Sequence, residues 1–154
     1  MPELPEVETV RKGLEQHLKN RKIANVELRC KNLRTPFPKD FTQNLKGAKI
    51  TRLRRRAKYI LIDLDNDHVW LTHLGMSGSF RTYAKTSQFT AEKHDHVIIT
   101  LDNGARIVFN DPRRFGVMDV FQAEEESSHK LLKNLGLEPL SNDFSGPALA
   151  SLLK

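Results

Sequence analysis

The feature that most limits how this chain folds is a series of short, β-prone stretches separated by turn residues. Ile23 to Cys30, Ile50 to Arg56, Tyr59 to Leu64, Val69 to Leu74, Val97 to Leu101, Ala105 to Phe109 and Val117 to Phe121 all have this character. Asp65-Asn66-Asp67 and Asp102-Asn103-Gly104 sit between pairs of them as hairpin turns. Several short strands linked by tight turns predict an antiparallel sandwich or barrel and argue against a parallel α/β sheet.

Helical spacing is confined to the ends. Leu4, Val7, Val10, Leu14 and Leu18 recur at three- and four-residue intervals, which predicts a helix from about Pro5 to about Asn20. Pro5 suits the first turn, where its missing N–H costs nothing, and Glu6 and Glu8 suit the positive end of the helix dipole. Thr82 to His94 is polar and reads as a long loop. Ser128 to Leu135 reads as a short helix stopped by Gly136, and Leu140 to Gly146 as a linker. Ala148 to Lys154 begins another helical pattern too short to be stable alone, so the chain looks cut rather than finished.

At 154 residues a single domain, 1–154, with a real core is the expectation. No apolar run approaches a membrane span and the N-terminus lacks a signal-peptide layout, so no membrane partner and a cytoplasmic location are expected. Cys30 is the only cysteine, which excludes an internal disulfide and any zinc cluster of several thiols. The net charge of +6 favours an anionic partner, but its sign alone does not separate DNA from RNA or an anionic membrane. Lys49, Arg52, Arg54, Arg55, Arg56 and Lys58 concentrate the positive charge, while Glu124, Glu125 and Glu126 form a separate acidic patch. Such a run is often only a solvated face.

Five segments carry possible chemistry. Met1 before a small residue is normally removed, which would leave Pro2 as a secondary amine with a pKa near or below that of an ordinary α-amino group, about 8. Such an amine can attack a sugar C1′ and form a Schiff-base electron sink, with Glu3 beside it to donate or accept protons. Taken alone, Pro2 reads more readily as a residue that merely precedes a helix. In Arg54-Arg55-Arg56-Ala57-Lys58-Tyr59, an extended backbone puts Arg54, Arg56 and Lys58 on one face, able to follow a phosphate backbone. Lys58 near an amine nucleophile would also disfavour its protonation.

His73-Leu74-Gly75-Met76-Ser77-Gly78 frames a flexible apolar side chain with glycines; Met76 is either core or a wedge between base steps. Asp111-Pro112-Arg113-Arg114-Phe115-Gly116 presents two guanidinium groups beside a ring, suited to an orphaned base edge or a phosphate, although Asp111 and an arginine could simply form a loop salt bridge. Lys93-His94-Asp95-His96 places two histidines on one strand face but lacks further ligands at metal spacing, so a phosphate or backbone contact is favoured over a metal.

Together these segments resemble the formamidopyrimidine-DNA glycosylase family. The matching blocks are Met1 to Thr9, Arg55-Arg56-Ala57-Lys58-Tyr59, His73 to Gly78, Lys93 to Val97, Asp111 to Gly116 and Leu135-Gly136-Leu137-Glu138-Pro139-Leu140, in order along the chain. Leu4 stands where the endonuclease VIII branch usually has glycine, which favours the purine-directed branch.

The resemblance implies an α+β, mainly β fold: an antiparallel β-sandwich flanked by an N-terminal helix and short C-terminal helices. It implies base-excision repair, in which Pro2 displaces an oxidised purine such as 8-oxoguanine or a ring-opened purine and forms a Schiff base. Strand cleavage by β- and δ-elimination then follows. By the same resemblance Glu3 is the catalytic acid or base, and Lys58 a second proton donor that also contacts phosphate. Met76, Arg113 and Phe115 match the residues that fill the void left by the flipped nucleotide, with Arg113 facing the orphaned cytosine, while His73, His94 and Arg114 match DNA-backbone contacts. Damaged double-stranded DNA is the expected partner, with the chain a monomer that uses no small-molecule cofactor and, by itself, no metal. Family members continue into a helix–two-turn–helix region and a four-cysteine zinc finger, both absent here, so weak or no activity is expected of this chain alone. A non-catalytic DNA-binding module, using the basic strand and the Arg113-to-Phe115 loop, is the alternative; an RNA-binding β-domain would leave the Met-Pro-Glu start unexplained.

Overall fold

The computed structural model describes residues 3–133 and 135. Helix α1 (Leu4–Leu18) opens the fold, followed by β1 (Ile23–Leu28), a short helix α2 (Phe41–Leu45), β2 (Ile50–Arg56), β3 (Tyr59–Leu64) and β4 (His68–His73). The chain continues through β5 (Ser79–Tyr83), β6 (Asp95–Leu101), β7 (Arg106–Asn110) and β8 (Val117–Gln122), then a 3-10 helix at Ala123–Ser128. The strands form two four-stranded sheets, ordered β1-β6-β7-β5 and β2-β3-β4-β8, with every pairing antiparallel. The sandwich is therefore as expected, and barrel closure is not.

One core joins the two sheets to α1. Val7, Leu14 and Leu18 of the helix bury with Ile23, Ile60, Ile62, Trp70, Ile99 and Phe109. The second sheet is covered on its outer face too. Leu61, Val69, Leu71, Val117 and Phe121 form a separate cluster capped by Leu132, which is fully buried. That double burial is why β3 and β4 read as nearly continuous apolar runs rather than alternating ones. Burying a leucine side chain completely is worth roughly 1.5–3 kcal/mol, enough to hold the short segment after the 3-10 helix against the sheet.

Three elements depart from the sequence expectation. β5 starts at Ser79, upstream of the predicted loop, and pairs with β7; its residues are exposed or half-buried, so it lacks an apolar signature. Helix α2 has five residues, and only its buried Phe41 and Leu45 at i and i+4 betray it. The predicted helix over Ser128 to Leu135 is replaced by the 3-10 helix at Ala123–Ser128 and turns beyond it. The ion pair of Glu126 with Arg54 and the hydrogen bond between His129 and Asp119 pull this segment onto the sheet instead of letting it coil freely. Gly136, the linker from Leu140 and the helical pattern from Ala148 lie outside the described residues. No helix among the described residues is long and apolar enough to cross a membrane.

Candidate active site and nucleic-acid interface

Two loops at one end of the sandwich are bolted together by a buried aspartate. Asp111 follows β7 and is fully buried; its Oδ2 accepts the Gly116 N–H at 2.8 Å and its Oδ1 the Ser77 hydroxyl at 2.7 Å. The Ser77 oxygen in turn accepts the Arg113 N–H at 3.1 Å. His96, buried in β6, donates from Nε2 to the Asp111 carbonyl at 2.9 Å, and the Asp111 N–H donates to the His94 carbonyl. Asp111 thus closes its own loop and ties it to the loop before β5, rather than pairing with an arginine, the alternative that the sequence left open.

The loops touch backbone to backbone, which explains the glycine. Gly75 has φ +64°, and a Cβ there would lie 2.5 Å from the Phe115 carbonyl carbon. Any side chain at this position would push the loops apart, quite apart from the left-handed backbone that favours glycine.

This junction holds Met76 and Phe115 out in solvent, 51% and 43% exposed, against the normal tendency of such side chains to bury. Arg113 lies between them, its Nη1 3.9 Å from the Met76 sulfur and its guanidinium carbon 5.5 Å from the centre of the Phe115 ring. The three line a cavity of about 590 Å³ together with Arg34 and Arg114. Of the two possibilities for Met76, core or exposed tip, the exposed tip is what the fold builds.

Tyr59 and His73 line a second cavity, close to the turn that carries Lys58. β2 and β3 are joined by a two-residue turn, Ala57-Lys58, with Ala57 at φ +51°. Lys58 therefore sits at a hairpin tip and does not continue the strand face of Arg54 and Arg56. His73, at the end of β4, is nearly buried, and its Nδ1 accepts the Gly75 N–H at 2.9 Å. Burial lowers its pKa, and the positive charges of Arg34 and Lys58 lower it further. The ring is thereby kept neutral with its proton on Nε2, a donor suited to an anionic oxygen. Tyr59 packs edge-on against it at 5.0 Å, and both line a cavity of about 570 Å³ that also includes Arg34 and Lys130.

The first turn of α1 is fastened to the same hairpin. Arg55 is buried; its Nε donates to Glu8 at 3.3 Å and its Nη1 to the Ala57 carbonyl at 3.0 Å, one residue from Lys58. Arg11 holds the other side of Glu8 at 2.7 Å and reaches the Leu53 carbonyl at 3.2 Å. Glu3, the N-cap of α1, is exposed and makes no side-chain capping bond. Pro2 lies outside the described residues.

The basic strand itself is not a phosphate track. Arg54 is clamped by Asp63 and Glu126, both at 2.7 Å, and Arg56 also reaches Glu126, at 3.4 Å. Burial, which opposes the charge of Arg54, is outweighed by those two carboxylates, and its pKa rises. Glu126 is held below the usual carboxylate range, chiefly by its hydrogen bonds from Arg54. Glu126, from the acidic patch expected to stand apart, therefore pairs with the run expected to bind DNA, and a chain separation of 72 residues between Arg54 and Glu126 hides that pairing from the sequence.

His94 is half-buried beside the Asp111 loop, its ring 6.2 Å from that of His96. Among the described residues no group of three or more His, Cys, Asp or Glu side chains is arranged to hold a metal ion. The structural residues that sequence reasoning passed over are Ser77, His96 and the Glu8–Arg55 pair. A small polar residue between two glycines was the available signal for Ser77; nothing local signals the others.

An antiparallel β-sandwich whose N-terminal helix is locked to one hairpin, with two cross-braced loops projecting cationic and apolar tips, defines a class of domain with its working surface at one end. The chain belongs to the formamidopyrimidine-DNA glycosylase family: residues 1–118 match the profile of the formamidopyrimidine-DNA glycosylase N-terminal domain. It is 49% identical to the formamidopyrimidine-DNA glycosylase of Ruegeria sp. (strain TM1040), covering 100% of this chain and 56% of that protein. With the enzyme of Methylocella silvestris it shares 50% identity over 99% of this chain and 55% of the relative. Among solved structures it superimposes on Lactococcus lactis Fpg in complex with abasic-site DNA at a TM-score of 0.80 and 30% identity, covering 94% of this chain and 53% of the other. A complex of the same Lactococcus protein with DNA containing N7-benzyl-Fapy-dG matches equally well, at a TM-score of 0.80. The chain thus spans a little over half the length of the curated relatives it matches.

Proposed function

We propose that this chain is the catalytic half of a base-excision repair enzyme that removes oxidised purines, 8-oxoguanine and formamidopyrimidines, from double-stranded DNA and then cleaves the strand. The observation that carries the proposal is the cross-braced loop pair. It holds two large apolar side chains and an arginine in water, where they cost stability unless something such as a base stack receives them. Relatives of this family have been solved with damaged DNA, which supports the same partner here.

In this proposal the Pro2 nitrogen attacks C1′ of the damaged nucleotide, the C1′–base bond breaks, and Glu3 manages the proton that the leaving base and sugar require. The resulting iminium acidifies the C2′ proton; its removal expels the 3′ phosphate by β-elimination, and a δ-elimination releases the 5′ phosphate. Lys58, at the hairpin tip tied to α1 through Arg55, serves as a second proton donor and phosphate contact. Met76, Arg113 and Phe115 occupy the space vacated by the flipped nucleotide, with Arg113 toward the orphaned cytosine. His73, His94 and Arg114 contact the backbone, His73 as a neutral donor. The zinc of full-length family members belongs to a four-cysteine finger, a donor set this chain, with Cys30 alone, does not supply. A bacterial cytoplasm, in association with the nucleoid, is the setting that fits.

Borohydride trapping on an abasic-site duplex tests the chemistry, with the intact mass recorded to confirm loss of Met1. A covalent adduct that disappears when the N-terminus is blocked is the expected result. Trapping that persists with a blocked terminus would move the nucleophile to a lysine, and binding without any adduct would leave a DNA-binding module.

A further inference from the structure

We infer that Arg34 is a phosphodiester-binding residue, placed where a nucleic-acid strand passes from the Met76–Phe115 loops to the cavity lined by Tyr59 and His73. The inference rests on the DNA-directed function proposed above, and names a contact outside the residues assigned there.

Arg34 belongs to the connection between β1 and α2, well apart in sequence from every other group in the interface. The connection is fixed at this point. Leu33 is buried, its N–H bonds to the Thr35 carbonyl, and the Arg34 N–H donates to the Gly116 carbonyl at 3.0 Å. The backbone of Arg34 is therefore fastened to the end of the loop that carries Arg113 and Phe115, while its side chain is exposed. It lines both cavities, the one with Met76 and Phe115 and the one with Tyr59 and His73. Its charge is felt at His73, whose pKa it helps to lower.

Arg34 shares with Arg113 and Arg114 the absence of a counter-charge, and it alone of the three lines both cavities. Arg11, Arg52, Arg54, Arg55 and Arg56 each meet a carboxylate within 4 Å, whereas among the described residues Arg34 meets none. An arginine held by its backbone between two cavities, with its guanidinium uncompensated, is poised for an anion brought by a ligand. The two cavities it joins carry groups suited to bases on one side and to backbone oxygens on the other. A strand crossing both places a phosphodiester over the boundary, and Arg34 stands there.

The test is the salt dependence of affinity of the chain for an abasic-analogue duplex. Each phosphate neutralised contributes roughly 0.9 to the slope of log affinity against log salt. Arg34→Gln is expected to make that slope shallower by about 0.9, so that the affinity lost between roughly 50 and 200 mM salt shrinks by about 3- to 4-fold. Its thermal midpoint should be unchanged, and Arg34→Lys, which keeps the charge, should restore the slope. Arg52→Gln removes an equally exposed charge that is already paired with Asp63 and should leave the slope as it was. A steep wild-type slope that Arg34→Gln does not alter overturns the inference alone, as does equal flattening by Arg52→Gln. A wild-type chain without salt-dependent DNA affinity overturns this inference and the proposed function together.

Discussion

Two clusters of arginine in this molecule look alike as sequence and behave oppositely as structure. Arg54, Arg55 and Arg56 on β2 are each committed to a carboxylate, two of them to Glu126 from the far end of the described chain. Arg113 and Arg114, in the loop before β8, meet no carboxylate among the described residues; Arg113 rests instead against Met76 and Phe115. The first cluster holds elements together and the second leaves its charge available. A basic run marks a nucleic-acid surface only where its charges have not already been spent on internal partners.

Breaking the support beneath the second cluster should have the largest effect. Asp111→Ala removes the acceptor of two hydrogen bonds at a fully buried site and orphans the Gly116 N–H; a loss of roughly 3 kcal/mol is expected, read by chemical denaturation. DNA affinity should fall with it, because Met76 and Phe115 lose their common anchor. If affinity survives when stability does not, the loops do not need to be braced in order to bind.

The comparison sharpens with one variant in each cluster. Glu126→Gln leaves Arg54 and Arg56 short of a counter-charge at a largely buried site, and should cost about 2 kcal/mol of stability with DNA affinity changed less than about twofold. Arg113→Gln should do the reverse, leaving the thermal midpoint in place while weakening binding to a duplex with an unpaired cytosine by about tenfold. Identical profiles for the two variants would erase the distinction between structural and available arginines.

The smallest effect expected is on pH dependence. His73 has a lowered pKa in the fold, so the unfolded chain binds its proton first as pH falls. Its contribution is present above the ordinary histidine value, about 6.5, and is lost as pH drops from there toward the folded value. Glu126 acts lower, stabilising the fold above the ordinary carboxylate range and losing that contribution as pH falls through its depressed value. Melting curves across this range should show a His73→Gln variant less sensitive than wild type near pH 6, about where histidine titrates, and equally sensitive near pH 4, about where carboxylates do. An unchanged response near pH 6 would mean His73 is not titrating with the fold.

Much of this architecture was legible before any coordinates. Hairpin turns at Asp65-Asn66-Asp67 and Asp102-Asn103-Gly104 are where the sequence puts them, and α1 follows its apolar spacing. The failures share a cause. β5 is an edge strand with no buried face of its own, and Ala57-Lys58 turns without the asparagine or glycine such turns usually advertise. The exposed tips of the two braced loops are legible one block at a time, because each loop carries its residues as a compact motif. Asp111 as a brace, Glu126 as a clamp and Arg34 as a neighbour of His73 depend on contacts between distant segments, and no local pattern encodes those.

The cap that Leu132 places on the outer face of the second sheet sets a limit on how this domain can be dissected. The match to the family profile ends at Met118, inside β8, which makes that position a tempting place to cut. Cutting there would remove most of β8, leaving the hydrogen-bonding edge of β4 bare, and would strip the cover from Leu61, Val69 and Leu71. An open strand edge beside an uncovered apolar face is the combination that recruits other chains into aggregates. The shortest version of this domain that keeps that face covered accordingly has to run through Leu132, well past the last position that the family profile matches.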